Sequence, residues 1–197
     1  GRREERLSAV KADLEKVYQT TVWTYPMDVT QIDQVTDICQ RILAEVGFVD
    51  ILVNNAGLAL GLEKFQDYVV EDMLTMFDTN VKGLMLVTRQ ILPQMVDRNL
   101  GHIINIGSTA GIYAYGGAAV YSATKAAVKV LSDGIRIDTV ATDIKVTTVQ
   151  PGLVETGFSL VRFHGDEERA SQFYRGIEAL QAQDIADIIL YIAIQPR

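Results

Sequence analysis

The stretch His102-Ile-Ile-Asn-Ile-Gly-Ser-Thr-Ala-Gly111 decides the fold. It opens on a short apolar run, Ile103, Ile104 and Ile106, and stops at Gly107-Ser108. Continuous rather than alternating hydrophobicity over so few residues reads as a strand buried on both faces. Ile-Leu-Val within Asp50 to Asn54 reads the same way, as does Lys145 to Val149 before Pro151-Gly152. Thr21 to Asp28, β-branched and aromatic, is a further predicted strand.

Helical patterns lie between these runs. Residues 3 to 18 place Leu7, Val10, Leu14 and Val17 at spacings of three and four. A second helix, N-capped by Thr30 and closed by Gly47, carries Val35, Ile38, Ile42, Leu43 and Val46. A long one runs from about Val69 to Asn99, with a bend or break at Pro93. Another starts after Gly116-Gly117 and runs to about Val140, and residues 166 to 180 and 184 to 194 form two more. This alternation predicts an α/β fold, a doubly wound parallel sheet of Rossmann-like type, as one domain over residues 1–197. Ligands of such sheets sit beyond the carboxyl ends of the strands, so the residues there are the functional candidates.

Composition sets outer bounds. The 197 residues are 48% hydrophobic and 22% charged, with a net charge of -7. That apolar fraction excludes a disordered chain, and the acidic balance argues against nucleic acid and anionic membranes as partners. One cysteine, Cys39, cannot form an internal disulfide, which suits a cytoplasmic setting, and its position predicts a core residue. No signal peptide is expected, and no apolar run reaches the roughly 18 residues that span a bilayer. His102 and His164 lack companions at metal-ligand spacing, so no metal site is expected. Met73, Met76, Met85 and Met95 read as packing residues of the long helix.

The chemistry sits at the strand ends. In Tyr121-Ser-Ala-Thr-Lys125 the phenol and the ammonium share one helical face at i, i+4. A nearby ammonium stabilises phenolate, so this Tyr could exchange protons near neutral pH. Ser108, thirteen residues earlier, ends a strand and could hydrogen-bond the same substrate oxygen. Asn54-Asn-Ala-Gly57 ends another, and Gly57 permits close approach. Asn80 interrupts the long helix, where Asn is a poor former, and could hold a water or kink the chain.

Asn55-Ala56-Gly57, Asn80, Ser108, Tyr121, Lys125 and Pro151-Gly152 resemble, in order and spacing, the short-chain dehydrogenase/reductase family. The resemblance spans Arg2 to about Ile194. The 102–111 stretch and Val161-Arg-Phe-His-Gly-Asp166 look most like NADP-dependent 3-hydroxy acid (serine) dehydrogenases. The family implies Tyr121 as acid/base, with Lys125 lowering its pKa and holding the nicotinamide ribose. It implies Ser108 as the group orienting the substrate oxygen, and Asn80 as the holder of a relay water. It implies Asn55 and Ala56 near the adenosine ribose, Gly57 beside them as a further cofactor-binding residue, Asp28 at the adenine, Pro151, Gly152 and Val154 at the nicotinamide and Thr156 near the pyrophosphate. The family also implies a homotetramer formed through the long helix and the Tyr121 helix.

Arg2 and Arg3, placed by the resemblance after the second family strand, suit a ribose 2′-phosphate and favour NADP over NAD, which calls for an acid there. Arg162, ten residues beyond Gly152, could grip a substrate carboxylate bidentately, or pair with Asp166 or Glu167. None of the fifteen glycines forms the family's Thr-Gly-x-x-x-Gly-x-Gly loop. The expectation is therefore a chain lacking the family's first two strands and that loop, cut at both ends, in which Thr21 to Asp28 has no neighbour to pair with. The alternatives are a reductase of an unrelated ketone and a catalytically silent nucleotide-binding relative.

Overall fold

The computed structural model describes residues 1–196. Its elements are α1 (Glu4–Tyr18), α2 (Ile32–Val46), β1 (Ile51–Asn54), α3 (Val70–Phe77), α4 (Gly83–Arg98), β2 (Gly101–Ile106), α5 (Ala119–Asp138), β3 (Ile144–Val149), β4 (Val154–Glu155), α6 (Phe158–Arg162), α7 (Glu167–Gln172), β5 (Leu180–Gln181) and α8 (Ala182–Ile194). β1, β2 and β3 form one parallel sheet in that order, with Ile51 opposite His102 and Ile103 opposite Val146. β4 and β5 make a separate parallel pair.

The apolar run of β2 is the centre of the core. Ile103 and Ile104 have no exposed surface, and Ile103 packs with Val35, Cys39, Val87, Ile91, Met95 and Val146 from the flanking helices and β3. A polar ladder crosses this layer. Asn54 Nδ2 donates to Thr88 Oγ1 at 2.9 Å and to Asn105 Oδ1 at 2.8 Å, and Asn105 Nδ2 donates to Ser132 Oγ at 2.9 Å. The ladder ties β1, α4, β2 and α5 together, and paired groups like these avoid the penalty of unsatisfied burial.

Several elements differ from the sequence expectations. Thr21 to Asp28 is not a strand: it pairs with no other strand, and its main-chain bonds include Met27 N to Gly1 O at 2.7 Å and Gln31 N to Asp28 O at 3.1 Å. Strand structure needs a ladder partner, and none lies beside it among the described residues. The visible parallel sheet therefore has three strands, and Ile51 and Val53 of its β1 edge stay exposed. Likewise no residue of α1 is buried, although its apolar stripe has the right period. The N-cap of α2 is Gln31, and Thr30 instead bonds the Asp28 carboxylate. The long helix forms as α3 and α4 joined by a π-helical turn, Asp78–Lys82, and α4 continues through Pro93. Residues 166 to 180 form only the short α7, because the chain turns and Gly176 takes φ +78°. Cys39, Met76 and Met95 are core residues as expected, but Met85 is exposed.

His102 predicts a pH effect on stability. It is buried in β2, with Nε2 2.9 Å from Thr147 Oγ1 and Nδ1 without a partner. Burial, helped by the Lys145 charge, pulls its pKa from 6.5 down to about 4. Between these values the unfolded chain binds a proton that the folded chain refuses, so stability falls as pH drops through that window. The loss is on the order of 3 kcal/mol. Thermal unfolding of His102→Asn should show a shallower decline from pH 6.5 to 4. A slope identical to that of the unaltered chain would refute the assignment.

Candidate active site

The carboxyl ends of the three sheet strands converge on one cavity of about 700 Å³. Asn55 and Gly57 follow β1, Ser108 follows β2, and Pro151, Gly152, Val154 and Thr156 follow β3, all lining it. Gly107 N donates to Val149 O at 2.7 Å and Thr109 N to Pro151 O at 3.0 Å, so the β2 and β3 ends remain locked past the strands.

Helix α5 brings Tyr121 and Lys125 to the same cavity. Its placement against Ser108 is tight. A Cβ on Gly111 would lie 2.6 Å from the main-chain carbonyl carbon of Lys125, so only glycine lets the turn after Ser108 rest on the helix backbone. Lys125 is buried, and its Nζ donates to Ile106 O at 2.8 Å, at the last residue of β2. Burial lowers its pKa from 10.5 to about 8. A Cβ on Gly57 would sit 3.4 Å from Lys125 Nζ and 3.3 Å from Asn80 Oδ1, so the missing side chain leaves room beside both.

Asn80 lies behind the cavity wall, 1% exposed, in the π-helical turn. Its Oδ1 accepts from Leu58 N at 2.8 Å, and its Nδ2 donates to Leu58 O at 2.8 Å and to Thr124 Oγ1 at 3.0 Å. Thr124 Oγ1 in turn donates to Tyr121 O at 2.7 Å. The side chain thus clamps the loop after β1 to α5. Insertion of one residue into a helix to form such a turn is frequent at functional sites.

The Tyr121 phenol behaves differently from the expectation of a lowered pKa. Burial pushes it above its ordinary value. The facing Ser108 hydroxyl and the Arg162 guanidinium pull it back, while Tyr115 raises it further. Lys125 Nζ stands 5.9 Å from the phenol ring centroid, while its hydrogen bond is to the strand.

Arg162 is the most unusual group in the cavity. It is 2% exposed, forms no ion pair among the described residues, and its Nε has no hydrogen-bond partner. Its guanidinium carbon lies 5.2 Å from the Tyr121 and Phe173 ring centroids, 5.4 Å from Phe158 and 5.9 Å from Tyr115. Pairing with Asp166 or Glu167 does not occur; the Asp166 carboxylate caps α7 by accepting from Arg169 N at 3.0 Å. Aromatic faces attract a cation, but they do not satisfy its N–H groups. A buried, unpaired guanidinium beside a cavity is a site prepared for an anion.

Besides Asn80, four candidates lie outside the cavity lining. Ala56 is exposed next to Asn55. Arg2 is on the surface and pairs with Asp28 at 3.6 Å. Arg3 precedes α1 and is exposed. Asp28 is held below the usual carboxylate pKa by its hydrogen bond from the Thr30 main chain. Conversely, Tyr115, Phe158, Ser159, Phe173 and Tyr174 line the cavity without having been singled out in the sequence. For Phe158, Phe173 and Tyr174 the signal was aromatic residues following Pro151-Gly152, which carry no spacing rule of their own; Tyr115 and Ser159 had none.

Known proteins match this arrangement. The short chain dehydrogenase family profile matches residues 1–165. An NADP-dependent 3-hydroxy acid dehydrogenase of Salmonella typhi is 47% identical over 197 residues, covering 100% of this chain and 78% of that protein. The Schizosaccharomyces pombe protein of the same description is 40% identical over 190 residues, covering 96% of this chain and 73% of its own. The closed form of a serine dehydrogenase complexed with NADP+ superposes with a TM-score of 0.93 at 44% identity, covering 100% of this chain and 78% of that one. Among the described residues no helix is long and apolar enough to cross a membrane, and no cluster of metal-ligating side chains forms. With the strand-end geometry and a profile match over most of its length, the chain belongs to the short chain dehydrogenase family.

Proposed function

We propose that this protein is an NADP-dependent oxidoreductase of small 3-hydroxy acids, acting on a CH–OH group. One observation carries the reading: the unpaired Arg162 guanidinium stands 5.2 Å from the ring of Tyr121, which Ser108 faces. A carboxylate on Arg162 brings a nearby hydroxyl carbon to the Tyr121–Ser108 pair. The relatives' descriptions support the same substrate class and cofactor. A single Rossmann-like oxidoreductase domain over residues 1–197 holds these parts.

In this reading Ser108 donates to or accepts from the reacting oxygen and sets its direction. Tyr121 takes the hydroxyl proton in oxidation and returns it in reduction. Lys125 supplies positive charge behind Tyr121 below its pKa of about 8. Asn80 keeps the loop after β1 in register with α5 and positions the water of the proton relay. Arg162 anchors the acid group bidentately.

The residues present fit a nicotinamide dinucleotide. The space beside Gly57, the buried Lys125 Nζ and the mainly apolar wall of Pro151, Gly152 and Val154 suit a ribose and a flat ring. Asn55 and Ala56 would hold the adenosine side, Asp28 the adenine, Thr156 the pyrophosphate, and Arg2 and Arg3 the 2′-phosphate. Arg2 is partly neutralised by Asp28, which leaves Arg3 as the freer cation. When bound, NADP supplies the carbon that accepts or returns the hydride.

The test is to follow NADPH absorbance with a panel of small 3-hydroxy acids, neutral alcohols and ketones. Turnover of the acids, with NADP preferred to NAD, is expected. Preference for neutral ketones would favour the unrelated-ketone alternative, and nucleotide binding without any turnover would favour a silent relative.

The proposal includes a homotetramer in the cytoplasm; the exposed apolar side chains Val70, Leu74 and Phe77 on α3 and Val130 and Ile137 on α5 support self-association through these helices, and Cys39 is free and buried. A solution mass of one chain would contradict that assembly.

A further inference from the structure

Beyond the main sheet, β4 and β5 pair side by side, Val154 with Leu180 and Glu155 with Gln181, and enclose an excursion of the chain. The excursion between them carries α6 and α7 over the cavity. Phe158 and Arg162 pack on Tyr121 of the body, and polar bonds add to these contacts. Gly61 N donates to Arg162 O at 2.9 Å, His164 Nε2 meets Asp72 Oδ2 at 3.0 Å, and Arg169 Nη2 meets Glu63 Oε1 at 3.2 Å. The last two pairs are largely exposed, where such contacts contribute little.

The bond inside the excursion is of another kind. Ser159 is 1% exposed, and its Oγ donates to the Tyr174 hydroxyl at 2.7 Å. Tyr174 donates onward to Val154 O at 3.2 Å, with Thr156 O at 3.5 Å. One hydroxyl therefore joins β4, α6 and the segment after α7. Arg162 follows Ser159 by three residues on α6, so the same bond sets how that helix is rotated. The next ring along the chain, Phe173, stacks edge-on to Tyr174 at 5.7 Å and lies 5.2 Å from the Arg162 guanidinium carbon. The main-chain bond from Gly61 holds the position of Arg162, but helix rotation decides where its side chain points.

We propose that Tyr174 is a positioning residue: its hydroxyl fixes α6 against β4 and thereby aims Arg162 at the acid group of the substrate. This rests on the reading of Arg162 as the carboxylate anchor. Tyr174 touches neither the reacting carbon nor the transferred proton in this scheme. Its removal should cost substrate affinity and leave the chemical step intact.

The experiment compares Tyr174→Phe, Ser159→Ala, Arg162→Ala and the Tyr174→Phe/Arg162→Ala pair in the full chain. Steady-state kinetics use 3-hydroxypropionate and a neutral alcohol, and fluorescence measures NADPH binding. Tyr174→Phe should raise KM for the acid about tenfold, the scale of one lost buried hydrogen bond. Its kcat, its KM for the alcohol and its NADPH Kd should stay within about twofold, below the scale of one such bond. Ser159→Ala should do the same, which keeps the test open if one variant folds poorly. In the Arg162→Ala background Tyr174→Phe should add nothing. If Arg162→Ala is selective for acids while Tyr174→Phe and Ser159→Ala are silent, alter kcat, or add fully to it, positioning by Tyr174 is wrong. If Arg162→Ala affects acid and alcohol alike, the anchor reading fails and this inference falls with it.

Discussion

Tyr121→Phe is expected to lower kcat by roughly a thousandfold or more, the scale of losing a positioned acid/base. NADPH binding should be unchanged, because the ring and its edge-on contact with Phe158 at 5.7 Å are kept. The physical reason is that only the phenol oxygen, faced by Ser108, stands where a hydroxyl proton must leave. The pH profile carries the sign. Burial holds the phenol above its ordinary pKa, so the phenolate needed for oxidation is scarce at neutral pH and its fraction rises with pH. Oxidation should therefore accelerate as pH increases through the neutral range, whereas reduction, which needs the phenol, should not. Lys125 loses its charge above about pH 8, which bends the upper part of both profiles. If Tyr121→Phe retained about a tenth of the unaltered kcat, Tyr121 would have no place in the chemistry.

Arg162→Ala is expected to reduce kcat/KM for 3-hydroxy acids by about a hundredfold, the loss that follows from truncating one partner of a buried charge pair. Neutral alcohols should lose no more than a few fold, since the scale of a charge pair does not apply to them. Arg162→Lys should fall between, because an ammonium keeps the charge but not the planar fork. Stability should move the opposite way. Without substrate the guanidinium is buried among rings with no counter-ion, which is costly. Arg162→Met should therefore unfold at the same or a higher temperature than the unaltered chain. Equal kinetic losses on acids and alcohols, or a large fall in melting temperature with Arg162→Met, would contradict the anchor.

Local pattern and tertiary setting had different weight in different elements. Ile103, Ile104 and Ile106 identified β2 because a short apolar run has no stable place except a doubly covered strand. The same logic misled at Thr21 to Asp28, where composition suits a strand but no ladder partner exists among the described residues. Helix α1 formed on periodicity alone and buried nothing. For residues 166 to 180 the helical pattern lost to turns, with Gly176 at positive φ. Pro93 stayed inside α4, where packing of Ile91 and Met95 against the sheet outweighs the missing donor.

For the site, residue order and spacing were enough to say which strand ends carry Asn55, Ser108 and Pro151-Gly152, and that Tyr121 and Lys125 share a helical face. These follow from strand periodicity and the 3.6-residue helical turn, which are local rules. It took the folded chain to establish that burial, not Lys125, dominates the Tyr121 phenol, that Asn80 clamps a loop, and that Arg162 has four aromatic neighbours and, among the described residues, no carboxylate. Desolvation and charge pairing depend on what surrounds a group in three dimensions, and Tyr115, Phe158 and Phe173 reach Arg162 only because the excursion between β4 and β5 folds back over the sheet.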